Sequence, residues 1–517
     1  MQQQGSYFLK KFNDICEVVY GLGYDLVLHN HLRFGEDRGL GIYGFVAFIC
    51  ITGFLYNFFN DKDTKGYCYY LPAILFLGLI EPIYQSFSAK NDLPGALACL
   101  GSIHLFIKWK NSPSKEKFFL SLLAITWAVA CKKVYLAFAA PMLAIWVLEW
   151  KRNKELFSLS TKQLAGGTIV LCLISPIFTY LYNIFLWGSW TGPEYFADHH
   201  KNQSLFLGTI SNFFRYCIEI VHCPQFIESW FKNNLNVSIT TILNHIWISF
   251  FLPIFGNHGE STWPFVVQWE QLEDSWFGPL GLILFAGFVI GLFLKKSSDQ
   301  KYLFLLCGLI FLAMCNQLAW RPFNDRYFSL FFILLAAIHA KKTFLNSRTI
   351  CRYICLTFSL TLLNWTVFFN KNLPTINFLS TNIKAVCQDI SQNSVLVRTN
   401  FGREKLGYPR IPNNVIDNIE NNARISIWTE RYEPTASISR QLSDHNLEPI
   451  RYKVNGKNKV IELSELPLSH IIDSDYLLFF GDKDRFSKYA NTLETFWFHN
   501  NGSTRVWALS KINKSNT

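Results

Sequence analysis

The chain has 517 residues, of which half are hydrophobic, 17% aromatic and only 16% charged, with a mean hydropathy of +0.16; soluble globular chains carry about 25% charged residues. These proportions exclude a disordered chain and argue against an all-soluble enzyme, and 48 Phe, 22 Tyr and 16 Trp beside 3 Met fit many segments that meet a bilayer and its interfaces. The net charge of +11 is spread over short basic runs between apolar stretches, a pattern that suits positive-inside loops and not the continuous basic face of a nucleic-acid-binding domain.

Residues 1–39 hold no apolar core next to a basic start, so no cleavable signal peptide is read there. A spanning helix needs about 20 largely apolar residues, and on that rule the sequence predicts ten: 40–59, 67–84, 93–109, 118–131, 134–150, 164–187, 276–294, 302–318, 327–340 and 350–369. If these alternate across the membrane, Lys108/Lys110/Lys115/Lys117, Lys151/Arg152/Lys154/Lys162, Lys295/Lys296/Lys301 and Lys341/Lys342/Arg348/Arg352 share one face, which is then cytoplasmic. Residues 1–39, the turn at 86–92, a long loop at 188–275, the turn at 320–326 and everything after Asn370 fall outside. From 370 to 517 short strand-like runs (424–428, 449–453, 476–480, 495–499, 504–509) alternate with helical stretches (433–444, 483–493), which predicts a small extracytoplasmic α/β domain without a Gly-rich phosphate loop. The thirteen Cys show no CxxC or Cys/His ligand spacing and read as small core hydrophobes.

The outer face carries the chemistry. Asp92, in the polar turn beside Lys90 and Asn91, reads either as a charge held at the rim by water, metal or ligand, or as a helix N-cap ahead of Leu93-Pro94. Cys131-Lys132-Lys133 places Lys outside, against the positive-inside trend, where a cation meets a lipid-linked phosphate; alternatively, the lysines snorkel from one long helix or a re-entrant pair. Arg321 and Arg326 offer bidentate donors to phosphate oxygens, or a structural salt bridge with Asp325. The long loop supplies His199, His200, Glu273 and Asp274 as acceptor-side, metal or acid–base candidates, or as merely solvated residues.

Taken in order, these stretches resemble the bacterial polytopic glycosyltransferases of the GT-C class, the family 39 and protein O-mannosyltransferase-like branch, similar in architecture to the enzyme that moves aminoarabinose onto lipid A. The resemblance rests on Gln85-Ser-Phe-Ser-Ala-Lys-Asn-Asp92, Lys133, Trp187-Gly-Ser-Trp-Thr-Gly-Pro193, Glu273-Asp-Ser-Trp-Phe-Gly-Pro279 and Asp325-Arg-Tyr-Phe328, over residues 34–369. It implies an α-helical polytopic membrane domain and transfer of a sugar from a polyprenyl-phosphate donor to an acceptor on the extracytoplasmic face of a bacterial inner membrane. It also implies that Lys133 and Arg326 neutralise the donor phosphate, and that Asp92 is the second acidic position, which holds a divalent metal (Mg or Mn) or organises the site. Members of the group open with a further helix and an acidic first loop bearing the general base; here Met1 opens in what resembles the tail of that loop, and Asp14, Glu17 and Asp25 carry no copy of the motif. Two other classes compete: a secondary transporter, which would show internal repeats and mid-membrane charges, and a catalytically inactive assembly protein.

Overall fold

The computed structural model describes residues 11–12, 23–24, 27–28, 42–58, 71–86, 91–152, 160–194, 198, 200–202, 204–221, 225–261, 264–267, 278–293, 298–321, 324–339, 359, 411–429, 442, 445–449, 452–454, 460–462, 474–488, 493–500 and 505–512. A helical body fills the first two thirds and a small sheet domain the last. In chain order the helices are α1 Ile42–Phe58, α2 Leu71–Leu77, α3 Ile80–Ser86, α4 Asp92–Asn111, α5 Lys115–Cys131, α6 Leu136–Arg152, α7 Thr161–Ile174, α8 Ile177–Trp187, α9 Leu205–Val221, α10 Gln225–Leu235, α11 Ile239–Ile246, α12 Leu252–Phe255, α13 Gly278–Leu292, α14 Ser298–Gln317 and α15 Ser329–His339.

The body is built with apolar residues outside as well as inside. Helix α7 buries no residue, and on α7 and α8 Ile169, Leu173, Leu181 and Phe185 are more than half exposed, as expected of a surface wetted by lipid. Polar residues turn inward and find partners: buried Ser121 bonds Ser102 Oγ at 2.9 Å and accepts from Trp146 Nε1 at 3.0 Å, the interhelical hydrogen bonding that joins helices where water is absent.

Among the described residues, one helical stretch, Lys133–Arg152, is long and apolar enough to cross a membrane alone. The segment expected at 164–187 is a broken pair bent by 59°; Pro176 at the break has no N–H and opens α8. The segment expected at 67–84 is likewise split into α2 and α3 around Gly78-Leu79. The tenth segment, 350–369, and its basic flank lie outside the described residues, apart from Ser359.

The clearest departure is the long loop. Most of its described part is helical, α9 to α12, with a π-helical turn at Trp247–Phe251 joining the last two. Helix α9 lies across one end of α14: Asn316 Nδ2 donates to Leu205 O at 3.3 Å, Asn212 Nδ2 to Leu318 O at 2.8 Å, and Trp320 Nε1 to Glu219 Oε1 at 3.0 Å. Leu205 to Glu219, about 21 Å of helix, thus pass over the end of α14 and the residues just after it, 316–320, while Leu205 and Phe206 stand about three-quarters exposed.

In the sheet domain five strands run in the order β3 (Asn446–Pro449), β2 (Arg424–Thr429), β6 (Tyr476–Asp482), β8 (Arg505–Ile512), β7 (Leu493–Asn500). The first three are parallel, and β8 and β7 add antiparallel. Central β6 is buried on both faces, Leu478 and Phe480 in one core and Leu477 and Phe479 in the other, which accounts for its unbroken apolar run. The run expected at 449–453 is divided between β3 and β4 (Tyr452–Val454), which belong to different sheets, and the helix expected at 483–493 ends at Ser487. The helix expected at 433–444 lies almost wholly outside the described residues. Strand β4 joins β5 (Val460–Glu462) and, on its other side, β1 (Lys11–Phe12) from the start of the chain.

Candidate functional site

The site assembles where α4 begins and α5 ends. Ser114 caps α5 by accepting from Lys117 N at 3.3 Å; the helix stops at Cys131 because Lys132 turns extended (φ −158°, ψ 128°). Asn91 Nδ2 then donates to the freed Cys131 carbonyl at 2.6 Å, and the Tyr135 hydroxyl donates to the Asp92 carbonyl. Tyr135 lies against Gly95, where a Cβ would stand 2.1 Å from its ring. These contacts seat the Lys132-Lys133 turn on the first turn of α4.

Asp92 is 1% exposed and forms an ion pair with Lys132 Nζ at 2.5 Å. It is therefore not the N-cap; Asn91 holds that position, without a side-chain cap bond. The Lys132 ammonium also lies 4.5 Å from the centre of the Tyr327 ring, and Tyr327 OH accepts from Arg326 Nη2 at 3.1 Å. Asp92, Lys132, Tyr327 and Arg326 thus form one continuous set, drawn from α4, the extended residue that caps the 133–135 turn, and the 325–328 turn ahead of α15.

Lys133 faces elsewhere. Its ammonium lies 5.3 Å from the centre of the Tyr180 ring on α8, and among the described residues no carboxylate pairs with it. The Tyr180 hydroxyl is enclosed and has no hydrogen-bond partner among the described residues. A cation and a hydroxyl held at a dry rim without an acid are suited to an anion.

Behind this set, α9 carries a second polar network. Arg215, wholly buried, bonds Glu260 Oε1 at 3.0 Å, the His258 carbonyl at 2.7 Å and Asn212 Oδ1 at 2.8 Å, and its guanidinium stacks over Trp247 at 4.6 Å. Burial pulls its pKa down to about 10 against the opposing pull of Glu260, so it stays charged at neutral pH. Asn324 Nδ2 donates to Tyr216 OH at 3.0 Å and to Ala319 O at 2.8 Å. The network fixes the strand-like 318–321 stretch and the turn that bears Arg326.

Of the other residues expected to act, Arg321 lies half-buried one residue beyond Trp320, and His200 uses its carbonyl to accept from Ala319 N at 3.0 Å. His199, Glu273, Asp274 and the Asp325 side chain lie outside the described residues, as do Asp14, Glu17 and Asp25. A divalent ion at Asp92 does not fit this arrangement: Lys132 takes the place beside its carboxylate, and no three His, Cys, Asp or Glu side chains gather among the described residues. Sequence reading missed Lys132 as the Asp92 partner, Tyr180, and the Arg215 network. Of the basic clusters, the described residues of the first two lie at the other end of the bundle, where Lys115 reaches Gln163 at 3.0 Å and Arg152 reaches Tyr302 at 2.9 Å; the side chains of the third and fourth lie outside the described residues.

No model of a known protein family matches the chain, and no curated protein matches it in sequence. Among solved structures, ArnT from Cupriavidus metallidurans bound to undecaprenyl phosphate is similar over 98% of this chain and 90% of that one, at 11% identity and a TM-score of 0.48. The apo state of the same protein is similar over 95% and 88%, at 11% identity and a TM-score of 0.34.

Proposed function

We propose that the chain is an integral-membrane glycosyltransferase of the GT-C class, moving a sugar from a polyprenyl-phosphate donor to an acceptor on the extracytoplasmic face of a bacterial inner membrane. The observation that carries this reading is Lys133, a cation at the rim opposite the basic end of the bundle, seated on Tyr180 and without an acidic partner among the described residues. In the reaction the bond from the sugar's anomeric carbon to the phosphate oxygen breaks, the phosphate leaves with the electron pair, and the acceptor oxygen bonds that carbon as its proton passes to water or to the departing phosphate. Lys133 meets the charge that grows on the leaving phosphate, an electrostatic role that needs no movement of the protein at the moment of reaction. Asp92, committed to Lys132, positions that turn and is not assigned the base.

Membranes carrying the chain, incubated with labelled polyprenyl-phosphate sugars, test the reading. Lys133→Met is expected to slow transfer by about 10²–10³-fold, the usual loss on removing one donor to a developing anion; transfer at the parent rate would remove Lys133 from the site.

A further inference from the structure

The Tyr180 ring that lies beneath Lys133 has a second neighbour. Trp190 stands edge-on to it, with centroids 5.3 Å apart and planes at 74°, yet the indole is 47% exposed. Its backbone is fixed on both sides. Gly188 ends α8 in the left-handed region (φ 73°) with its N–H on Ile184 O at 2.8 Å. Buried Asn183 donates to Trp190 O at 3.1 Å, the Ser189 and Thr191 hydroxyls bond at 2.8 Å, and Gly192 takes φ 96°. The result is a large aromatic face, open to solvent and held on a rigid turn, that shares a neighbour with the candidate phosphate cation.

Sugar rings carry a face of C–H groups that pack on indoles, where hydrogens with slight positive charge meet the negative π face, the same electrostatics that sets Tyr180 edge-on. In a lipid-phosphate sugar the ring is one oxygen away from the phosphorus. We infer that Trp190 is the stacking platform for the glycosyl ring of the donor, selecting ring sugars with an unbroken C–H face. The inference rests on the donor-phosphate reading of Lys133. The loaded carrier then makes two contacts, phosphate on Lys133 and sugar on Trp190, whereas the spent carrier makes only the first. Transfer itself weakens the hold on the lipid and clears the site.

Equilibrium binding to the purified full chain tests this, with undecaprenyl phosphate and its glucosyl and mannosyl esters as probes. At least one ester is expected to bind about five- to tenfold more tightly than the bare lipid phosphate, the scale of one aromatic stacking contact. Trp190→Ala and Trp190→Leu should both erase that gain and leave bare-lipid affinity within about twofold, while Trp190→Phe retains part of it. Three results overturn the inference and leave the donor reading in place: no ester gains over the bare lipid, the gain survives in the Leu variant, or the Leu variant weakens all probes equally, as an interfacial anchor would. If the parent fails to bind bare undecaprenyl phosphate, or Lys133→Met leaves that binding intact, the donor reading falls and the stacking role falls with it.

Discussion

The Asp92–Lys132 pair decides how much the first turn of α4 tolerates. A carboxylate with 1% exposure that loses its cation is left charged in a dry site, so Lys132→Met is expected to cost about 3–5 kcal/mol, and adding Asp92→Asn should recover most of it because no bare charge remains. Thermal unfolding of the two variants checks this; equal loss in both would mean the pair is unimportant. Gly95 makes a second prediction. A methyl there meets Tyr135 at 2.1 Å, so Gly95→Ala should push the tyrosine off the Asp92 carbonyl and lower the melting temperature more than the usual effect of Ala in a helix, which is favourable. Sequence reading found the lysine pair but not its division of labour. Two adjacent residues at an extended-to-helix corner diverge, and spacing alone does not say which side chain turns back to the carboxylate.

At the scale of elements, α4, α5 and α6 were legible because their apolar runs end at caps and basic turns, and their bounds fall within a few residues of expectation. Helices α9 to α12 were not. In α9, Ser211, Asn212, Arg215 and Glu219 interrupt the hydropathy, and in a chain met without coordinates that reads as a solvated loop. The structure inverts the pattern: Ser211, Asn212 and Arg215 are wholly buried and Leu205 and Phe206 face outward. The Arg215 fork ties this helix to the 256–260 turn through His258 and Glu260. Arg215→Lys keeps the charge but loses the planar fork, so it is expected to raise hydrogen exchange across residues 256–267 and to slow transfer, with Glu260→Gln milder. Unchanged exchange there would detach α9 from the site. Because burial brings the Arg215 pKa only to about 10, its charge does not change between pH 6 and 8. Its folded-state pKa lies below the usual 12.5, so any stability gained from releasing the proton appears only above pH 10, and a pH profile in the neutral range should not report it.

For the molecule as a whole, the charges sort by end: Asp92, Lys132, Lys133 and Arg326 at one, Lys110, Lys115 and Arg152 at the other, separated by α4 and α6. Twenty residues of α4 make about 30 Å, the thickness of a bilayer core. The pairing of β1 with β4 ties the start of the chain to the sheet domain, so the two must lie on one face. Alkaline phosphatase fused after Thr517 is therefore expected to be active in cells and green fluorescent protein at the same point dark; the reverse would place the sheet domain in the cytoplasm. That β1–β4 pairing also sets an order in time. Lys11 faces Lys453 across the ladder, so β1 can find its partner only after every helix between them has been synthesised and inserted. At about 5–20 residues per second this wait lasts on the order of a minute. The β1–β4–β5 sheet therefore closes only when the helical body between its strands is in place, and a chain halted before Tyr452 leaves β1 without that partner.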